Sequence, residues 1–199
     1  MRVELKPGTQ GYPTPLIVLG TWNADGSPNA MTAAWGGVCS SEPPCMMAAI
    51  RKARRTYENI VRDQAFTVHV VGADQLAQAD YFGLVSGKKH RKLETVSFRA
   101  MPGQHVQAPI LEEFPIAMEC RCIHIQEIGQ HMVLVGEVCG LSVDAGCLTE
   151  NGLPDMRKAK AVLFDQSRNE YDQIGTCVGQ AFSMGKQFLS GTSTMRKEE

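Results

Sequence analysis

The 199-residue chain has no surplus of charge of one sign. Its 20 Lys and Arg stand against 21 Asp and Glu, for a formal net charge of -1. With an isoelectric point near 6.5, this excludes a general nucleic-acid-binding surface, which needs a broad basic excess. No apolar run approaches the ~20 residues of a membrane-spanning helix. The opening residues, Met1 to Pro13, lack the apolar stretch of a secretory leader. The expectation is a cytoplasmic protein with neither a nucleic-acid nor a membrane partner. Metal-type spacing is missing too. The seven Cys are scattered, with no C-x-x-C pair and no His at a fixed offset.

Catalytic signatures are equally scarce. There is no G-x-S-x-G elbow and no H-E-x-x-H. Neither phosphate-loop pattern, G-x-x-x-x-G-K-[ST] or G-x-G-x-x-G, occurs. The five His are dispersed, and His69, alone in a strand-like run, reads as structural. No catalytic side chain is singled out. Such a chain, if it holds an anion, points to chemistry carried by a bound cofactor.

What is present is ordinary for a soluble domain: 43% hydrophobic and 21% charged residues. The length suffices for a full core without disulfides. One domain is expected over 1–190, with a frayed tail over 191–199. The cysteines read as reduced thiols serving as small apolar residues, with a redox role for Cys39 or Cys45 as the alternative. Cys120 and Cys122, two apart in a strand-like run, should share one face.

Strands are expected at Leu16–Trp22, Asn29–Cys39, Cys45–Ile50, Phe66–Val71 and Val162–Asp165. Ala24-Asp25-Gly26-Ser27 is a hairpin turn, and Gly36-Gly37 marks a bulge or a close backbone approach. Ile116–Ile128 and His131–Val143 read as a long hairpin joined at Gly129-Gln130. Helices are expected at Thr56–Gln64, with Tyr57, Ile60 and Val61 on one stripe and Thr56 as N-cap, and at Asp74–Val85, capped by Asp74 and ended by Ser86-Gly87. Many strands without a strand–helix rhythm argue for a mainly β fold, an antiparallel barrel with added helices.

One stretch breaks the charge balance: Arg51, Lys52, Arg54 and Arg55 lie within five positions, just before the first expected helix. A helix N-terminus attracts phosphate, and Arg forks grip its oxygens in pairs. A solvated charged face is the alternative. Lys88, Lys89, Arg91 and Lys92 form a second basic group, read as a solvated loop.

Taken in order, Pro15 with its strand, Asp25-Gly26, Asn29 to Trp35, Ser41-Glu42-Pro43-Pro44 and Arg51 to Ile60 resemble the flavin reductase-like, FMN-binding split-barrel family, and flavoredoxin-type members in particular. The Ser86–Leu93 block and Tyr171–Gly175 extend the likeness, which runs from Pro15 to Lys186. The resemblance implies a six-stranded antiparallel Greek-key barrel, a homodimer, and FMN at or near the dimer interface. It implies that Asn29, Met31, Thr32, Ala33, Ala34 and Trp35 lie along the isoalloxazine ring, bordered by Ser40 and Ser41. Arg51, Lys52, Arg55 and Thr56 would hold the phosphate, Ser86, Gly87 and Lys88 would add contacts, and Tyr171 would be nearby. Two positions depart from the family pattern: Arg91, where an acidic residue is frequent, and Ala34, where Ser is. The implied activity is hydride transfer from NADH or NADPH onto FMN and onward. The alternatives are an electron carrier between redox protein partners with no nicotinamide site, and a non-catalytic module that docks an anion or acidic peptide.

Overall fold

The structure, a computed structural model, describes residues 1–191; of the expected frayed tail, all but Gly191 lies outside the described residues. Chain order begins with β1 (Thr14–Pro15), β2 (Ile17–Trp22), β3 (Pro28–Ala33), β4 (Gly36–Ser41), β5 (Pro44–Arg51) and α1 (Arg55–Asp63). It continues with β6 (Ala65–Val70), α2 (Leu76–Leu84), α3 (Lys92–Thr95), β7 (Ala100–Pro102), β8 (Pro109–Leu111), β9 (Ile116–Ile128) and β10 (His131–Val143), and closes with β11 (Val162–Asp165) and β12 (Glu170–Gln173). The fold is mainly β, and its strand pairings are antiparallel.

The large sheet has the order β3-β2-β6-β9-β10-β5-β4, seven strands rather than the six expected. The extra strand arises where one was expected from Asn29 to Cys39. That run divides at Ala34-Trp35 into β3, which pairs with β2, and β4, which pairs with β5. These strands are the two edges of the sheet, so two residues carry the chain from one edge to the other. The sheet must therefore curl until its edges meet. There the Ala49 N–H donates to Trp35 O at 2.7 Å.

Gly36 permits this approach. A Cβ at that position would stand 2.9 Å from Met47 O and 2.7 Å from Ile17 Cδ1, closer than backbone atoms allow. The close approach was legible in the Gly36-Gly37 pair, but the bulge lies further on. Register passes from Val38↔Met46 to Ser40↔Cys45, which leaves Cys39 as the extra residue.

Alternation decides the two cores. Ile17 and Leu19 of β2 face the barrel interior with Phe66, Val68, Cys120, Cys122 and Leu134, and Ile60 of α1 packs against them. Cys120 and Cys122 thus share a face. Leu16 and Val18 face the other way, under Ala79 and Phe82 of α2 and Leu93 of α3. Burial on both faces is why β2 reads as an unbroken apolar run.

Two expected caps are corrected. Arg54 is the N-cap of α1, without a side-chain cap bond, and Thr56 lies inside the first turn. Asp74 sits in a 3₁₀ turn, Ala73–Gln75, ahead of α2, and its carboxylate pairs with Lys160 Nζ at 2.8 Å. The long hairpin has the bounds read from the sequence.

Candidate functional site

A groove opens where the barrel edges meet, between the β3–β4 junction, the end of β5, the start of α1, the end of α2 and the loop into α3. It encloses about 760 Å³ of non-protein space, its open mouth included. One part of its wall is apolar: Met31, Ala33, Ala34, Trp35, Ala49 and Ile50. Trp35 and His131 face each other there with ring centroids 4.7 Å apart. The other part is cationic, lined by Arg51, Arg54, Arg55 and Lys92.

The cationic end is built from the β5–α1 turn. Arg51 ends β5 and Arg54 caps α1. Among the described residues neither side chain forms an ion pair. The backbone N–H groups of Arg55 and Thr56 open the helix and have no intrahelical acceptor. Lys52, between the two arginines, turns away: its side chain is 67% exposed and faces Glu127 at 3.8 Å.

Lys92 corrects the reading of its block as a solvated loop. It is only 3% exposed, and its Nζ donates to Phe82 O at 2.7 Å. Burial, with a smaller push from Arg54, lowers its pKa from 10.5 to about 8. One backbone acceptor leaves two ammonium N–H bonds for a groove ligand.

A buried polar chain sets the hydroxyl direction at Thr56. Asn29 Nδ2 spends both protons, on Thr21 Oγ1 at 3.0 Å and Thr56 Oγ1 at 2.9 Å. Thr21 also accepts from Asn59 Nδ2 at 3.0 Å. Because Thr56 Oγ1 accepts from Asn29, its own O–H is left to donate. Thr32 differs: its hydroxyl donates to Ala79 O, tying β3 to α2, so toward the groove it can only accept.

Gly87 closes this corner. A Cβ there would collide with Asn29 Oδ1. Gly87→Ala is expected to displace Asn29 and cost about 1–3 kcal/mol of stability, the usual range for overpacking. Gly83 is the contrast, since its Cβ would make ordinary contact at 3.5 Å with Thr32. Gly83→Ala in α2 should be neutral or stabilising by up to about 1 kcal/mol. Urea unfolding of both variants checks this; equal effects would contradict the packing described.

The groove thus brings together Asn29, Met31, Thr32, Ala33, Ala34, Trp35, Arg51, Arg55, Thr56, Ser86 and Gly87 of the residues singled out in the sequence. Ser40 and Ser41 do not line it; they lie at the far end of β4, opposite Cys45 and Pro44. Lys88 lies outside it and pairs with Glu58 at 2.5 Å, in an adjoining basic cleft with Lys89, His90 and Arg91. Arg91 faces Glu94 at 3.2 Å and Asp25 at 3.7 Å. Tyr171 Oη donates to Asp80 at 2.7 Å, pinning β12 to α2, and its phenol is pushed up to about 12 by burial and by Asp80.

Residues 9–168 match the flavin reductase like domain family. The chain belongs to that family. Among solved flavin reductase-like structures, flavoredoxin of Desulfovibrio vulgaris (Miyazaki F) is 39% identical with a TM-score of 0.88, covering 93% of this chain and 100% of that one. Flavoredoxin from Methanosarcina acetivorans is 28% identical with a TM-score of 0.87, covering 94% and 99%. The reductase component of the flavin-dependent trigonelline monooxygenase of Acinetobacter baylyi is 22% identical over 135 residues, 68% of this chain but only 42% of that protein.

Sequence reasoning missed Arg54, Lys92 and His131 among the groove residues. Arg54 belongs to the basic run, and no local pattern distinguishes it from Lys52, which does not line the groove. Lys92 carried a local signal only in hindsight, as the lysine directly before the buried Leu93. His131 opens β10 and meets Trp35 only through the barrel's closure, which no local pattern reveals.

Proposed function

We propose that the protein is an FMN-binding flavoprotein oxidoreductase that takes hydride or electrons from NADH or NADPH and passes them on. The supporting observation is the pairing, in one groove, of an apolar wall with a cationic end in which Arg55 is paired with Glu58 at 3.0 Å while Arg51, Arg54 and Lys92 form no ion pair among the described residues. FMN has that polarity, a flat apolar ring system joined by a polyol to a phosphate. The residues present fit it. Arg51, Arg54, Arg55 and Lys92 would hold the phosphate with the Thr56 hydroxyl and the α1 N-terminus. Trp35 and its apolar neighbours would hold the ring. FMN, when bound, supplies the hydride and electron chemistry. The chain's own share is to bind and orient it, to exclude water along the Met31–Trp35 wall, and to place positive charge beside an anionic ligand. No side chain need transfer a proton, in keeping with the dispersed His and the missing triad.

A second reading is favoured by the end-to-end likeness to two flavoredoxins: an electron carrier between redox proteins, with no nicotinamide site. The adjoining cleft of Lys88, Lys89 and Arg91 supports an acidic protein partner. A homodimer belongs to both readings, supported by exposed apolar side chains on the C-terminal segment, among them Val178, Phe182 and Phe188. Anaerobic titration of the flavin-loaded protein with NADH, then NADPH, separates the two. Bleaching of flavin absorbance is the expected result. No bleaching by either nucleotide, with bleaching by dithionite, selects the carrier. A protein that takes up no flavin, and binds acidic peptides with steep salt dependence, would leave only the docking module.

A further inference from the structure

The cysteines are not spread evenly through the folded protein. Of the three register irregularities in the large sheet, one sets Ile123 of β9 as the extra residue, between Val135↔His124 and Gly136↔Cys122, and the other two set a cysteine: Cys39 in β4, between the pairs Val38↔Met46 and Ser40↔Cys45, and Cys139 in β10, between Val138↔Cys120 and Gly140↔Glu119. Each bulge cysteine therefore lies beside a cysteine of the neighbouring strand, Cys39 beside Cys45 and Cys139 beside Cys120. A bulge sets two residues against one, which brings Cys39 and Ser40 together opposite Cys45.

The Cys39–Cys45 pair is the more open of the two, since Cys139 is only partly exposed beside the buried Cys120. Cys39 is exposed and Cys45 is buried, at 4% exposure. Cys45 alternates with Met46, Ala48 and Ile50, which face the barrel interior, so it lies on the outer face with its register partner Glu137. Burial raises the Cys45 thiol, and Cys39 and Glu137 raise it further. Cys120, by contrast, is inside the core with its thiol pushed up to about 12, which removes it from thiolate chemistry. Among the described residues no group of three or more His, Cys, Asp and Glu has a metal-binding arrangement.

We propose that Cys39 and Cys45 form a thiol–disulfide exchange site on the β4–β5 edge of the barrel, taking low-molecular-weight disulfides as oxidant. Cys39, as thiolate, attacks one sulfur of the disulfide. The bond between the two small-molecule sulfurs breaks, a mixed disulfide forms on Cys39, and one small thiolate leaves. Cys45 then gives its proton to solvent and attacks Cys39 Sγ, expelling the second small thiolate. Two protein thiols are oxidised to one disulfide and one small disulfide is reduced to two thiols. The product staples β4 to β5, the strand that carries Ala49, Ile50 and Arg51 into the groove.

The test uses the full-length protein and glutathione disulfide, followed by intact mass and peptide mapping. Expected are the loss of three titratable thiols, two to a cross-link joining the Cys39 and Cys45 peptides and one to an adduct on Cys177, with only a transient adduct on Cys39. Cys45→Ala should stop at a persistent Cys39 adduct, and Cys39→Ser should form neither adduct nor bridge at this edge. Cys177, exposed on the C-terminal segment, is the internal reference and should stop at an adduct in every variant. A Cys39 adduct as long-lived in the unaltered protein as in Cys45→Ala overturns the proposal. So does a bridge that joins Cys39 to Cys139 in place of Cys45.

Discussion

Replacing Lys92 with Met is expected to weaken FMN binding by about 100-fold while changing riboflavin binding by less than about threefold, because removing one partner of a buried, hydrogen-bonded charge pair costs on the order of 2–5 kcal/mol and each ~1.4 kcal/mol is tenfold. Riboflavin lacks the phosphate, so it reports everything else Lys92 does. The lysine has one protein acceptor, Phe82 O, and otherwise lines the groove beside Arg51 and Arg54. The apoprotein should change little in stability: the variant is relieved of a buried cation but leaves Phe82 O without its donor. Isothermal titration with both flavins checks this, and parallel losses for the two would refute a phosphate role.

The same residue sets a pH dependence. FMN's phosphate is mostly dianionic above about pH 7, since its second pKa is near 6. Lys92 in the free protein loses its proton as pH rises through about 8. Above that value, binding must first restore the ammonium, so FMN affinity should fall by up to about tenfold per pH unit. Riboflavin affinity should stay flat over the same interval, and Lys92→Met should abolish the inflection.

The contrast between Lys92 and Lys52 shows what the sequence could disclose. Both sit in basic runs, and charge density alone ranks them equally. Lys52 lies in the turn between β5 and α1, where backbone direction reverses, and so points to Glu127. Lys92 opens α3 and is carried under the end of α2. Which way each points depends on tertiary placement, not on neighbours in the chain. The Asn29–Trp35 segment was legible as an element of the site because its small residues and Trp lie in one continuous run. Its division into two edge strands was not, because Ala34-Trp35 carries no turn signal. The break exists because the barrel's edges must meet there. β2 and the β9–β10 hairpin were legible because their apolar runs are long and bounded by Asp25-Gly26 and Gly129-Gln130. β1, β7, β8 and β12 are two to four residues long and, unlike the equally short Val-Leu-Phe-Asp run of β11, carry no run of three apolar residues free of proline.

The second large effect concerns the scaffold rather than the groove. Unfolding free energy is expected to fall by about 3 kcal/mol between pH 6.5 and pH 4 through His69 alone. His69 is fully buried in β6. Its Nε2 accepts the Leu111 N–H at 2.9 Å, which fixes the proton on Nδ1, and Nδ1 donates to Val18 O at 3.1 Å. One imidazole thereby ties β6 to β2 and to β8. A second proton would have to displace the Leu111 bond inside a fully buried site. Burial accordingly lowers the pKa from 6.5 to about 4, against a smaller upward pull from Val18 O. The sign follows from proton counts. Below pH 6.5 the unfolded chain binds a proton at this position while the folded chain does not, so acid favours unfolding. The contribution is whole above pH 6.5 and is lost as pH falls through about 4. Below that, both states are protonated and the loss stops growing. Carboxylates held low, such as Glu58 beside Lys88, add their own acid loss and must be separated from it. His69→Gln does so, since an amide can donate to Val18 O and accept from Leu111 N–H but does not titrate over this range. Denaturant midpoints taken from pH 7.5 to pH 4 should converge, the unaltered protein losing about 3 kcal/mol more than the variant. Parallel curves would mean that His69 takes up its proton in the folded state, and that the β2–β6–β8 junction opens to water far more readily than its packing implies.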